Sequence, residues 1–95
     1  MKITVRSVAD LGLALRATRK GSKVRLDDLA DIAGVSKQFV SDVERGKQTV
    51  QLGLALRLLA EMGLNLMVDI PADAEGEWAR LQAKAGTASL GQKTS

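Results

Sequence analysis

The sequence predicts a mainly α fold: a domain of four to five helices closed by one C-terminal β-strand that pairs across a homodimer. Three observations carry that expectation. Apolar residues recur at helical spacing around residues 11–18 and 52–60, and the shorter apolar stretches between them are bracketed by cap and stop residues. The stretch GLNLMVDIP, residues 63–71, alternates instead, setting Leu64, Leu66, Val68 and Ile70 on one face and Asn65, Met67 and Asp69 on the other. A lone strand cannot satisfy its own backbone donors and acceptors, so it calls for a partner.

The elements follow in order. Residues 2–6, KITVR, alternate like a short strand and are the one internal candidate to pair with 64–70. Ser7 and Asp10 form a capping box that starts a first helix through VADLGLALRAT, with Leu11, Ala14, Leu15 and Thr18 facing inward and fraying at 19–23. A second helix spans Leu26 to Ala33, with Asp27 and Asp28 in its first turn, where the helix dipole favours anions, and Gly34 as its stop. Ser36 caps a third helix, KQFVSDVER, ended by Arg45 and Gly46. Phe39 or Val40, with Val43, supplies its apolar stripe and leaves Lys37, Gln38, Ser41 and Asp42 on the open side. A fourth helix begins between Thr49 and Gln51 and reaches Met62, with Leu52, Ala55, Leu56, Leu59 and Ala60 as its inner face and Gly63 as its end.

The hexamer LGLALR occurs at 11–16 and again at 52–57, without further similarity around it, and implies no duplication. Residues 1–71 therefore read as the domain with its dimerising strand, and 72–95 as a flexible tail in which EGEWARLQAK alone has helical promise. Trp78, the only tryptophan, either packs back on the domain or contacts a partner.

Bulk properties narrow the function. Ninety-five residues make one small domain that buries roughly 60 to 65% of its unfolded surface, so burial by association would add much. The absence of cysteine removes disulfides and thiolate metal sites, and the absence of histidine removes the commonest general base, so neither an enzyme nor a cofactor is expected. Apolar runs fall far short of the roughly 18 residues a membrane span needs, and the N-terminus has no continuous signal-peptide core; the expected location is the cytoplasm. Ten of the 14 Lys/Arg but only six of the 11 Asp/Glu lie in residues 1–50. Between Arg16 and Arg25 stand five cations (Arg16, Arg19, Lys20, Lys23, Arg25) and no acid, which suits either a polyanionic partner or a solvated helix end.

Two short helices joined by AGVS, the second capped by Ser36, have the sequence form of a helix-turn-helix. Ala33 and Gly34 permit a steep approach, Val35 plugs the angle, and Val40 and Val43 hold the second helix on the core. The N-terminal end of the third helix then projects as entry into a major groove requires. A helical hairpin without a nucleic-acid role would share the pattern.

Residues 11–64 resemble the Cro/Xre helix-turn-helix family and fit its general pattern without a gap; LADIAGVSKQFVSDVERGK is the most diagnostic run, through Ala30, Gly34, Val35, Ser36, Val40, Ser41, Glu44, Arg45 and Gly46. The closing LLAEMGLNLMVDI is similar to the end of the HipB-like antitoxin branch, whose last helix runs into a short strand. The resemblance implies a lambda-repressor-like domain and carries recognition positions onto Lys37, Gln38, Phe39, Ser41 and Asp42. Arg25 stands where the family commonly has Thr or Ser, Leu26 where it often has Gln, and Phe39 where a small residue is usual. The phenyl ring can fill core space or touch a thymine methyl.

Gln matches adenine N6/N7 and Lys matches guanine O6/N7, so Lys37 and Gln38 are the principal base-reading candidates. Asp42 either accepts from cytosine N4 or pairs with a nearby cation. Ser36, Arg19, Lys23, Arg25, Arg45 and Lys47 are candidates for phosphate, with Arg45 equally able to pair with Glu44 or Asp31. The expected partners are a palindromic double-stranded operator, a second copy joined through Leu64, Leu66, Val68 and Ile70, and a HipA-like kinase toxin whose operon this repressor would control. A free-standing regulator and a protein-interaction module that has lost DNA binding are the alternatives.

Overall fold

The computed structural model describes the backbone of residues 1–92 and the side chains of residues 1–86. The chain divides into two compact units, the first ending at Asn65 and the second starting at Leu66.

The first unit holds four helices: α1 (Val8–Gly21), α2 (Leu26–Ala33), α3 (Lys37–Glu44) and α4 (Leu52–Glu61). α3 packs against both α1 and α2, and α2 also packs on α4. The starts obey local chemistry. Ser7 Oγ accepts from Asp10 N–H at 3.1 Å, while Asp10 Oδ2 reaches past the cap to accept from Arg6 N–H at 2.9 Å. The stops share one device: Gly34, Gly46 and Gly63 all take positive φ, and the amides around each close back on the preceding helix in a Schellman arrangement. At the end of α1 the same bonds form around Lys23, a non-glycine residue at φ 59°.

Leu15, Leu29, Ala30, Ala33, Val40, Val43, Ala55, Leu58 and Leu59 form the core, with Leu11, Val24, Leu26, Val35, Phe39, Val50, Met62 and Leu64 packed partly against it. α1 and α3 meet almost backbone to backbone. A Cβ added at Gly12 would fall against the Val43 and Glu44 carbonyl oxygens, 2.6 Å from the latter, and one at Gly46 would lie 2.7 Å from Ala9 Cα. The two LGLALR copies accordingly play different parts: Gly12 is this close contact, whereas Gly53 faces open space.

Three expectations are corrected. The inner face of α4 is Ala55, Leu58 and Leu59, leaving Leu52, Leu56 and Ala60 exposed. With leucines at 52, 54, 56, 58 and 59, more than one face satisfies the helical period, and packing on α2 selects one. Residues 2–6 and 64–70 form no strand, so the expected dimerising strand is not formed by this chain alone. Leu64 caps the core and donates its N–H to Leu59 O at 3.0 Å; Leu66 and Val68 are exposed and Ile70 is half-buried. A ladder needs two strands, and the chain folded by itself pairs neither segment.

In the second unit, residues 72–74 make one 3-10 turn and α5 spans Glu75–Gln92, where the expectation was a flexible tail; residues 93–95 lie outside the described residues. Ala, Glu, Gln, Leu, Lys and Arg, all strong helix formers, dominate α5, Glu75 and Glu77 occupy its first turn, and Glu77 accepts from Arg80 Nε at 3.1 Å. Helical propensity does not require the apolar stripe whose absence suggested a tail. Trp78 and Leu81, one turn apart on α5, are both about half exposed.

Candidate nucleic-acid interface

The recognition helix is placed by contacts on its hidden side. Ser36 Oγ accepts from Phe39 N–H at 3.0 Å and caps α3. Val35 packs into the angle between α2 and α3, and the completely buried Val40 and Val43 turn the opposite face outward. Lys37 and Gln38 are exposed there, with Ser41 and Asp42 partly so.

These outward groups are already organised among themselves. Gln38 Nε2 donates to Asp42 Oδ1 at 2.8 Å, and Lys47 Nζ lies 3.5 Å from Asp42 Oδ2. Lys37 Nζ is 3.4 Å from Asp27 Oδ2, which also stands 3.9 Å from Arg25 Nη2. Arg45 donates from Nε and Nη2 to Ser41 Oγ at 3.2 and 2.8 Å, in place of the Glu44 or Asp31 partner considered for it. Arg25 is the N-cap residue of α2 but makes no side-chain cap bond, and its guanidinium, beside Asp27, is largely in solvent. Lys37 at the start of α3, Lys47 beyond its end, and Lys23 and Arg25 before α2 are all exposed cations, and Arg45 at the end of α3 is partly exposed.

Two candidate residues are reassigned. Arg19 is only 8% exposed and donates from Nε and Nη2 to both oxygens of the equally buried Glu44, at 2.6 and 2.9 Å, with Nη1 on Val24 O at 3.1 Å. It is therefore a structural tie between α1 and α3 and presents nothing to a phosphate. Its hydrogen bonds to Glu44 raise the guanidinium pKa against the lowering effect of burial. The sequence held the signal, since Arg19 continues the Leu11, Leu15 series at four-residue spacing onto the inner face. Phe39 is half-buried and packed on the core, the first of the two roles open to it.

Arg57 was not singled out by sequence, and Asp27 was singled out only as a first-turn acid of α2. Arg57 on α4 donates from Nη2 to Ala33 O at 2.7 Å, satisfying a carbonyl at the C-terminus of α2 and bracing the turn. Asp27 supplies the partner that holds Lys37. No local pattern marks either contact, because each depends on a residue in another helix.

The helix-turn-helix domain family matches residues 10–65. The chain belongs to the helix-turn-helix domain family. Within it, the chain is 36% identical over 69 residues to the uncharacterized HTH-type transcriptional regulator y4mF of Sinorhizobium fredii (strain NBRC 101917 / NGR234), a match covering 73% of this chain and 91% of that relative. A Cro/Xre-like helix-turn-helix protein is what these matches and the α2–α3 geometry support together. Among the described residues of this family member, no helix is long and apolar enough to cross a membrane.

Proposed function

We propose that this helix-turn-helix chain is a dimeric, sequence-specific DNA-binding repressor of transcription, acting in the cytoplasm and without catalysis of its own. The observation that carries the reading is the outward face of α3: Lys37 and Gln38 exposed on a helix fixed from behind, with exposed cations at Lys23 and Arg25 before α2 and at Lys47 after α3, and Arg45 partly exposed at its end. Gln38 and Lys37 read base edges, and the cations and the capped helix end hold phosphates. A relative described as a transcriptional regulator supports the same direction.

Binding of operator and scrambled duplexes over a salt series tests it. Gln38→Ala is expected to cost about 1 to 3 kcal/mol on the operator and little on the scrambled duplex. Lys23→Ala is expected to weaken both and to lower the salt slope by about one. Equal losses on both duplexes for Gln38→Ala would remove its base-reading role.

One domain touches too few base pairs for useful specificity, so two copies on half-sites about 34 Å apart complete the reading. Residues 64–70 are the proposed seam, pairing antiparallel with their own copy. Their alternation, and the exposure of Leu66 and Val68 in a segment with no ladder partner of its own, support this. The resemblance of the same region to HipB-like antitoxins extends the proposal to a HipA-like kinase toxin as partner. A kinase gene beside this one, and co-purification of its product with the full chain, are the expected findings. Their absence selects the free-standing regulator.

A further inference from the structure

Asp42 is an unexpected residue for the DNA-facing side of a recognition helix, because a carboxylate there opposes phosphate charge. Both of its oxygens are engaged: Oδ1 accepts from Gln38 Nε2 at 2.8 Å, and Oδ2 lies 3.5 Å from the Lys47 ammonium, just beyond the end of α3. Its side chain is 21% exposed against 55% for Lys47, so the carboxylate is sheltered between an amide and a cation. Gln38 and Asp42 are four residues apart, which puts them on one face one turn from each other.

The chemistry of that contact is one-directional. An ionised carboxylate only accepts, so the Gln38 atom facing it must be the amide nitrogen. One N–H is thereby committed. The amide keeps one free N–H and its Oε1, a donor and an acceptor side by side. Adenine presents an acceptor at N7 and a donor at N6, which that edge complements; guanine presents acceptors at both N7 and O6. An unrestrained glutamine can turn two N–H groups toward guanine. One held by Asp42 cannot do so without releasing the carboxylate, or it sets Oε1 against O6.

We infer that Asp42 is a positioning residue that locks the Gln38 amide in the orientation that reads adenine and rejects guanine, with Lys47 anchoring the carboxylate from its other side. The inference rests on the DNA-reading function proposed above and adds the residue that enforces the adenine preference of Gln38. It also gives the negative charge on this face a purpose, since the energy lost against phosphate is exchanged for discrimination.

The test uses the full chain and a randomised duplex library. Selection with the wild-type protein defines a preferred duplex, and Gln38→Ala identifies the base pair whose preference it abolishes. At that pair the wild type is expected to favour adenine over guanine by on the order of tenfold or more. Asp42→Ala, and Asp42→Asn, whose amide can also donate to Oε1, are each expected to reduce that ratio by about fivefold or more. Affinity for a scrambled duplex is expected to hold or rise in both, because a negative charge has been removed. Asp42→Glu, which keeps an acceptor-only group, restores the ratio, and Gln38→Ala/Asp42→Ala matches Gln38→Ala alone. Circular dichroism on each variant separates loss of fold from loss of reading. A wild type that selects a sequence while Asp42→Ala keeps the adenine-to-guanine ratio overturns the inference alone. A wild type that selects no sequence overturns the DNA-reading function and the inference with it.

Discussion

Arg19 and Glu44 are charged side chains in a core otherwise made of aliphatic residues, and their bidentate contact joins α1 to the end of α3. Burying two charges is costly, and the mutual hydrogen bonds together with Val24 O offset that cost. Removing one partner leaves the other buried and unmatched. Glu44→Ala is expected to destabilise the domain by about 3 to 5 kcal/mol, a large share of the stability of so small a fold. The double replacement Arg19→Met/Glu44→Leu should recover most of that loss, since an apolar pair of similar volume carries no desolvation cost. Urea midpoints of the three proteins check both values. At the surface the polar contacts are different: Asp27 with Lys37, and Asp42 with Gln38 and Lys47, restrain the side chains that the proposed function would offer to DNA, without adding much to stability.

The helices differ in what holds them. α1 is pressed against α3 through Gly12, whereas Gly53, the matching residue of the repeated hexamer, lies on an open part of α4. Gly12→Ala is expected to cost about 3 kcal/mol, because the methyl group meets backbone carbonyls that cannot move aside. Gly53→Ala is expected to stabilise by about 0.5 to 1 kcal/mol through helix propensity alone. Thermal melts of the two single variants should therefore move in opposite directions. α5 depends on propensity and on charges near its start. Hydrogen bonds from Arg80 lower the Glu77 pKa below the ordinary glutamate value. A carboxylate whose folded pKa is depressed contributes above its unfolded pKa, and the contribution is lost as pH falls through the folded one. Helical ellipticity is expected to fall on acidification from about pH 5 to pH 2, and Glu77→Gln should remove that part of the titration.

For the whole molecule, the proposed function requires two recognition helices at a fixed separation, and the proposed seam at 64–70 would set it. Val68, 81% exposed, belongs to that seam. Val68→Pro takes away a ladder donor and is expected to shift the protein from dimer to monomer in sedimentation, with operator affinity falling and Tm of the helical unit little changed. A dimer that survives the substitution would place the seam elsewhere. By itself the sequence determined the mainly helical class, the bounds of α2, the start of α3 and its end to within one residue, the caps at Ser7 and Ser36, and the outward placement of Lys37 and Gln38. Those features answer to interactions within four or five residues, and such interactions are written in local residue order. Arg19 as a structural tie, the chosen face of α4, the brace from Arg57 to Ala33 and the unpaired state of 64–70 were decided only by the tertiary structure. The unpaired state of 64–70 follows from its having no partner strand among the described residues; each of the others is a choice among locally equivalent options, made by a neighbour far along the chain: Glu44 lies 25 residues from Arg19, and Ala33 lies 24 from Arg57.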